Sequence, residues 1–346
     1  MADWFNRLLV TMLPVVPRPL VRAISSAYVA GETTDDMLAA VRDLNAIGAC
    51  CTVDLLGEFI SHIDQAHETA RAYQQVIRTL QQQQVNATIS IKLTALGLLI
   101  DPDVCFELTR SVVATAQECG NFVRLDMEDT QCTTPTIALY LRLRKEFSNV
   151  GIVLQAYLRR TLGDVRFLCE QSAGNFRLCK GIYVEPRELA FQDGAITNKN
   201  FVLILEEMIK QGAFVGIATH DESLVWEALR LLDQYQVPPH KYEFQMLLGV
   251  DNQMRDMILA GGHPLRVYVP FGEQWYAYSS RRLKENPAIA GHVFKALLRR
   301  LFPKKQSRLS QASAEHVMVA KGGVSSPLMA EEERPKEPEA EGNLPI

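Results

Sequence analysis

Residues 87–127, ATISIKLTALGLLIDPDVCFELTRSVVATAQECGNFVRLDM, contain two short apolar runs on either side of a segment with helical ends. The runs Ala87–Leu93 and Phe122–Met127 have the composition of parallel strands that are buried on both faces. Between them, Asp101-Pro102 provides an N-cap and a first-turn proline, and Gly120 provides a stop signal. The stretch therefore predicts a β-strand, a helix and a second, parallel β-strand.

The same alternation continues on both sides of this stretch. Six further apolar runs are predicted strands: Cys51–Leu55, Gly151–Ala156, Phe176–Ile182, Ala213–Ala218, Tyr242–Leu247 and Leu265–Val269. Helix signals separate them, with Thr134-Pro135 expected to open one helix and Asn198 to cap another. Eight strands with intervening helices over about 220 residues predict an α/β fold, a (β/α)8 TIM-type barrel. A doubly wound open sheet is the alternative, which is weakened because no GxGxxG follows the first strand.

Composition narrows the class of protein. The chain has 346 residues, 47% of them apolar and 22% charged, and a formal net charge of −4. These values are ordinary for a globular protein and argue against a dedicated nucleic-acid binder. The seven cysteines form no CxxC pair, so we expect free thiols in a reducing cytoplasm and no metal site. No apolar run reaches the ~18 residues of a membrane-spanning helix.

The two ends of the chain differ from its middle. We expect residues 1–33 to form an N-terminal helical arm, 34–303 the catalytic barrel, and 304–346 a disordered acidic tail. The arm carries an apolar stripe of Trp4, Phe5, Leu8, Leu9 and Met12. This stripe predicts packing against the barrel, with contact to a membrane as the alternative.

Polar residues gather where the predicted strands end. They are Lys92, Asp126, Glu128, Gln155, Arg177, Lys180, Tyr183, Thr219, His220, Asp221, Gln245 and Tyr268. Each one alone is explained by a helix cap, a turn or an exposed strand end. Together they fall on the C-terminal rim of the predicted barrel, which is where barrel enzymes place their active sites.

A last polar pattern lies near residue 280. Tyr278, Arg281, Arg282 and Glu285 are spaced i, i+3, i+4 and i+7, which places them on one face of a helix. The two guanidinium groups suit a small carboxylate ligand. A solvated face with an Arg281–Glu285 pair is the alternative explanation.

These residues occur within motifs that resemble the proline dehydrogenase family, in its bacterial single-activity form. The motifs span most of the chain: YVAGET (28–33), TVDLLGE (52–58), SIKLTALG (90–97), RLDMED (124–129), LQAYLRR (154–160), RLCKGIY (177–183), IATHD (217–221), YVPFGEQW (268–275) and YAYSSRRLKEN (276–286). The tail after residue 303 lies outside the resemblance.

The resemblance implies a distorted (β/α)8 barrel that binds FAD and oxidises L-proline to Δ1-pyrroline-5-carboxylate. It also implies a membrane quinone as electron acceptor. A cytoplasmic protein in peripheral contact with the inner face of the membrane is therefore expected, and an oligomer is compatible with the family.

The resemblance also assigns roles to residues. Arg281, Arg282 and Lys92 would bind the proline carboxylate, while Tyr268, Tyr278 and Glu285 would wall the pocket and Tyr183 would cover the ring. Asp126 matches the acidic catalytic residue, here expected to orient Lys92 and the pocket, and Arg177 matches the residue beside flavin N5. The FAD-binding positions would be Met127, Gln155, Arg177, Lys180, Gly181, Ile182, Thr219 and His220. The family often has alanine at position 182.

Two other functions remain open from the residues themselves. A Schiff-base barrel lyase would use Lys92 or Lys180 as its nucleophile, and such a lysine needs a depressed pKa. A barrel that has lost catalysis would serve as a binding protein. The set Lys92, Asp126, Arg177, Arg281 and Arg282 argues against the latter.

Overall fold

The computed structural model describes Arg22 and residues 25–57, 60–276, 278 and 279. In this part of the chain, eight parallel strands form a closed barrel in sequence order, with the last strand paired to the first. The strands are β1 Cys50–Leu55, β2 Ala87–Ile91, β3 Val123–Leu125, β4 Val150–Gln155, β5 Asn175–Cys179, β6 Phe214–Ala218, β7 Tyr242–Leu247 and β8 Leu265–Phe271. The predicted (β/α)8 barrel is confirmed, and the closure excludes the open sheet.

Helices surround the barrel. They are α1 Thr34–Ala46, α2 Ile63–Gln82, α3 Pro102–Glu118, α4 Thr130–Arg144, α5 Thr161–Glu170, α6 Gly194–Lys210, α7 Glu222–Gln234 and α8 Asn252–Ala260. Short 3-10 turns at Thr94–Leu96 and Pro239–Lys241 complete the elements. None of the helices over these residues is both long and apolar enough to cross a bilayer.

Side-chain caps mark the start of most of the described helices. Asp101 accepts hydrogen bonds from the backbone N–H groups of Asp103 and Val104, both at 3.1 Å, as predicted. The prediction for Asn198 is wrong, because α6 begins five residues earlier behind the cap Asp193. The start at Thr134-Pro135 is also wrong, because α4 begins at Thr130 and includes the proline. In both cases an aspartate upstream satisfies the free N–H groups first.

Helix α1 occupies an unusual place in the barrel. It precedes β1 and packs against both β1 and β8, at the seam where the sheet closes. In a regular barrel the helix after the last strand lies there. The segment before α1 is hydrogen bonded to the end of β8, with Ala30 N donating to Pro270 O and Gly272 N donating to Gly31 O, both at 2.9 Å.

The two faces of the sheet carry different residues. The outward face supplies fully buried residues such as Val53, Ile89 and Phe176 to the core beneath the helices. The inward face is polar, whereas branched apolar residues fill most barrels of this kind. Its polar side chains include Thr52, Asp54, Ser90, Arg124, Gln155, Arg177, Glu243, Gln245, Arg266 and Tyr268.

Two glycines make room for this polar interior. A Cβ atom at Gly151 would lie 2.3 Å from Nη1 of Arg124, and one at Gly216 would lie 2.3 Å from Nε2 of Gln245. Glycine at these strand positions therefore allows long polar side chains to cross the barrel.

A pair of glycine substitutions separates backbone strain from steric exclusion. Gly249 and Gly212 both have φ +68, but only at Gly249 would a Cβ atom meet backbone, at 1.6 Å from Ala27 O. We expect Gly212→Ala to cost about 1 kcal/mol of unfolding free energy. Gly249→Ala should cost about 3 kcal/mol, because overpacking adds to the strain. Urea unfolding of the two variants measures this difference, and equal losses would contradict the close approach of residues 27 and 249.

Candidate active site

The first feature of the C-terminal mouth is a buried ion pair between the ends of β1 and β2. Lys92 Nζ lies 2.8 Å from both carboxylate oxygens of Asp54. Asp54 is fully buried and Lys92 is 5% exposed. Burying two charges is favourable only when their geometry and remaining hydrogen bonds are good. Sequence reasoning missed Asp54, although a single carboxylate inside a predicted buried strand signals a cationic partner.

Asp126 is the centre of the site. Its Oδ1 accepts hydrogen bonds from Arg177 Nη1 at 2.8 Å and Ser90 Oγ at 2.5 Å. Its Oδ2 accepts from the Tyr268 hydroxyl at 2.7 Å and lies 3.9 Å from Lys92 Nζ. Burial raises the pKa of Asp126, but the charges of Arg177 and Lys92 and the two hydroxyl donors outweigh burial and hold it below its usual range. The group is therefore an anion that positions its neighbours.

The electrostatics of Lys92 bear on the lyase alternative. Burial lowers the pKa of Lys92, but the Asp54 carboxylate, the Tyr268 hydroxyl and the Asp126 carboxylate reverse this and raise it well above its usual value. A Schiff-base nucleophile needs the opposite shift. The geometry therefore argues against Lys92 as a nucleophile.

Arg177 extends from β5 into the same cluster. Its Nε donates to Gln245 Oε1 at 2.5 Å, and its guanidinium lies 5.2 Å from the centre of the Tyr268 ring. Gln245 Nε2 in turn donates to Glu243 Oε1 at 2.6 Å. The sequence placed Gln245 on the rim without a role and did not single out Glu243, because a strand pattern does not show which inward side chains meet.

A second polar cluster lies at the ends of β5 and β6. Lys180 Nζ is 2.6 Å from Asp221 Oδ2, which also accepts a hydrogen bond from Asn198 Nδ2 at 2.8 Å. Thr219 Oγ1 accepts from the backbone N–H of Asp221 at 3.0 Å. Hydrogen bonds from Lys180, Ser223 and Asn198 outweigh burial and hold the pKa of Asp221 below its usual range. Asp221 thus fixes the position of the Lys180 cation.

His220 presents a donor to the same region. Its Nε2 accepts a hydrogen bond from Leu247 N at 2.9 Å, so the proton of the neutral ring resides on Nδ1. Burial lowers the pKa of His220 to about 4, and the ring is therefore neutral at pH 7. Nδ1 is buried without a hydrogen-bond partner over the described residues. A buried donor of this kind is a candidate for binding a ligand.

The loop after β5 brings backbone close to the barrel mouth. Gly181 has φ +105, and a Cβ atom there would lie 2.0 Å from Tyr157 Cδ1. Only glycine satisfies both constraints. Ile182 and Tyr183 follow it and are half-buried. On the neighbouring strands, Gln155 Nε2 donates to Glu128 O at 2.7 Å, next to the buried Met127.

The structure therefore brings most of the predicted site residues onto one rim. Lys92, Asp126, Arg177 and Tyr268 form one connected cluster, and Lys180, Thr219 and His220 lie on adjacent strand ends. Tyr278 is buried and packs with Tyr28, Val29, Leu56 and Trp275. Arg281, Arg282 and Glu285, and the helix expected to carry them, lie outside the described residues. The roles of all these residues stay predictions.

A closed barrel with buried cation–carboxylate pairs at its C-terminal mouth is the arrangement of a barrel enzyme. The proline dehydrogenase family model matches residues 37–295 of the chain. Proline dehydrogenase 1 of Bacillus subtilis (strain 168) is 33% identical, over 79% of this chain and 90% of that protein. The proline dehydrogenase of Deinococcus radiodurans is 34% identical, over 83% and 97% respectively. The chain belongs to the proline dehydrogenase family.

Solved structures agree on the fold. Proline utilization A (PutA) from Bdellovibrio bacteriovorus superposes with a TM-score of 0.71 and 24% identity, over 82% of this chain. The match covers 34% of that larger chain, so this protein spans about a third of its length. At this identity the likeness bears on the fold alone.

The Asp54–Lys92 pair makes a prediction about stability. Lys92→Met and Asp54→Leu should each cost about 3–5 kcal/mol of unfolding free energy, because each leaves a buried charge unpaired. The double variant should be more stable than either single variant. Urea unfolding of all three measures the coupling. The same cycle on the exposed Arg110–Glu146 pair is the control, with an expected coupling of about 0.2–1 kcal/mol. Additive losses at Asp54 and Lys92 would contradict the pairing.

His220 makes a prediction about pH. Between its ordinary pKa of 6.5 and its folded value of about 4, the unfolded chain binds a proton that the folded protein does not. Stability is therefore lost as the pH falls through this window. His220→Gln, which keeps an acceptor for Leu247 N, should flatten this loss in urea unfolding at pH 4 to 7. The same substitution at the exposed His67 should leave the slope as in the wild type; an unchanged slope in His220→Gln would contradict the assignment.

Proposed function

We propose that this protein oxidises L-proline to Δ1-pyrroline-5-carboxylate, with FAD as its cofactor and a membrane quinone as the electron acceptor. The observation that carries the proposal is the cluster of Lys92 and Arg177 around Asp126 in a chain of this family. It places two cations at the mouth of the barrel, where a small carboxylate substrate and an electron-accepting cofactor would meet.

The rim of β4 to β6 fits a flavin nucleotide. The groups that would bind phosphate and ring oxygens are the Lys180 cation, the half-buried backbone at Gly181, and the Nδ1–H of His220, which has no partner among the described residues. A bound flavin supplies the two-electron acceptor for a hydride leaving the substrate. Met127, Gln155, Ile182 and Thr219 would complete the cofactor contacts.

A neighbouring groove supports FAD over a mononucleotide. It has a volume of about 640 Å3 and is lined by Asn198, Lys199, Val202, Ser223, Leu224, Trp226 and Glu227. Asn198 and Ser223 are both hydrogen-bond partners of Asp221, the carboxylate that holds Lys180. Asp221 thus connects the lining of the groove to Lys180, one of the proposed phosphate-binding groups. The groove also offers the 60% exposed Trp226 as a surface on which an adenine ring would stack.

Lys92 would help to bind the substrate carboxylate. Two of its N–H groups are used by Asp54, and Asp126 at 3.9 Å is too distant for a hydrogen bond. Among the residues that the structure describes, the third N–H has no hydrogen-bond partner, and we propose that it binds a ligand. Arg281 and Arg282 are proposed as the other parts of this carboxylate clamp, with Tyr183, Tyr268, Tyr278 and Glu285 around the ring.

The cations would also assist the chemistry. A protonated proline nitrogen is a poor source of hydride, and nearby positive charge favours the neutral amine. A clamped carboxylate holds the substrate carbon in place for transfer. Arg177 would stabilise the negative charge that develops on the cofactor.

The position in the cell belongs to the same proposal. A quinone acceptor is dissolved in the membrane, so a cytoplasmic protein in peripheral contact with the inner face of the membrane would deliver its electrons there. The division into an arm of residues 1–33, a barrel of 34–303 and a tail of 304–346 remains a prediction.

The test is the visible absorption spectrum of the purified protein before and after anaerobic addition of L-proline. We expect a flavin spectrum that bleaches with L-proline and not with D-proline, and chromatography of the released cofactor should give FAD. A flavin that does not bleach would contradict proline as the substrate. A colourless protein that stays inert with added FAD would contradict the proposal that it is a flavoenzyme and would favour a binding protein.

A further inference from the structure

Four side chains form a hydrogen-bonded row across the barrel interior. Arg177 Nε donates to Gln245 Oε1 at 2.5 Å, and Gln245 Nε2 donates to Glu243 Oε1 at 2.6 Å. The same Glu243 oxygen accepts from Arg266 Nε at 2.7 Å. Glu243 and Gln245 are 8% and 6% exposed. The row therefore links the C-terminal mouth to the opposite end of the barrel through buried groups.

The orientation of the Gln245 amide depends on Glu243. If the amide rotated by half a turn, its NH2 group would face the Arg177 guanidinium and its oxygen would face the Glu243 carboxylate. Both contacts would be repulsive, because two donors or two acceptors would meet. Glu243 therefore holds the amide oxygen toward Arg177. Gly216 leaves the space for this arrangement, since a Cβ atom there would overlap the amide.

We propose that Glu243 is a positioning residue for the redox reaction and acts through Gln245 on Arg177. The proposal rests on the proposed function, in which Arg177 stabilises negative charge on the reduced flavin. Glu243 itself contacts neither substrate nor cofactor in this scheme.

The charges in the row explain why an amide stands between the two ends. A carboxylate directly on Arg177 Nε would add to Asp126 and neutralise the cation that the reaction uses. The neutral amide instead orients the guanidinium, while the carboxylate that fixes the amide lies one step further away. There, Arg266 balances its charge. Arg177 is thereby held in place without losing its positive charge to a second carboxylate.

Three variants test the proposal. In Glu243→Leu the Gln245 amide loses the acceptor for its NH2 group and is held only by Arg177. We expect anaerobic flavin reduction by L-proline to slow by about 10- to 100-fold, as for a displaced catalytic group. The flavin reduction potential should fall, while the dissociation constant for proline stays within about twofold, because the row does not reach the carboxylate clamp. Glu243→Gln should retain most of the rate, because a single oxygen accepts both hydrogen bonds.

The double variant Glu243→Leu, Arg266→Leu separates positioning from stability. It removes the Arg266 charge, which Glu243→Leu leaves without a carboxylate partner, and should recover unfolding free energy relative to Glu243→Leu. Its flavin reduction should stay slow, because Gln245 still lacks its partner. Recovery of the rate in the double variant would overturn the proposal, and so would an unchanged rate and potential in Glu243→Leu.

Hydrogen exchange at Arg177 tests its link to Glu243 without any turnover of substrate. In the full-length protein labelled with 15N-arginine, the Arg177 Nε–H signal, assigned by its loss in Arg177→Lys, should exchange slowly with solvent. Glu243→Leu should speed this exchange at least about tenfold, the factor that corresponds to one lost hydrogen bond. Unchanged exchange would overturn the link from Glu243 to Arg177. A wild type that L-proline does not reduce would overturn the proposed function instead.

Discussion

A carboxylate at the mouth of a closed barrel needs cations and hydrogen-bond donors around it. The arrangement of the site follows from the groups that surround Asp126. Arg177 and Lys92 approach it from β5 and from the end of β2, and the hydroxyl groups of Ser90 and Tyr268 complete its hydrogen bonds. Lys92 in turn requires Asp54. Each charge thus fixes the next, and the side chains at the barrel mouth are held before any ligand arrives.

The sequence predicts the fold well, because a strand that is buried on both faces needs a continuous apolar run. All eight predicted strands overlap observed ones. The predictions that run too far by more than one residue do so at C-terminal ends, as at Leu93, Met127 and Ile182, where the chain leaves the sheet and the site begins. Helix starts are predicted less accurately, because several polar residues compete for each cap, as Asp193 and Asn198 show. Asp54, Glu243 and the role of Gln245 were missed because contacts across a barrel join residues far apart in the chain.

In this barrel the two faces of the sheet have different functions, one in stability and the other in the arrangement of the site. The outward residues of the strands form the hydrophobic core with the helices, and this core supplies the greater part of the stabilisation. The inward residues are then available for charges that contribute little net stability but define one arrangement of the mouth. Glycine at positions 151 and 216 is part of this inward arrangement, because the absence of a side chain leaves room for Arg124 and Gln245.

The location of α1 at the seam has a consequence for biosynthesis. A ribosome delivers β1 and α1 early, but the strand that both of them pack against is complete only at Phe271. Until then, β1 is an open edge, and one side of α1 has no partner. Exposed edges of this kind invite pairing with other chains. A chain that stalls before its eighth strand should therefore depend on chaperones. A chain whose eighth strand is complete can close the barrel by pairing β8 with β1.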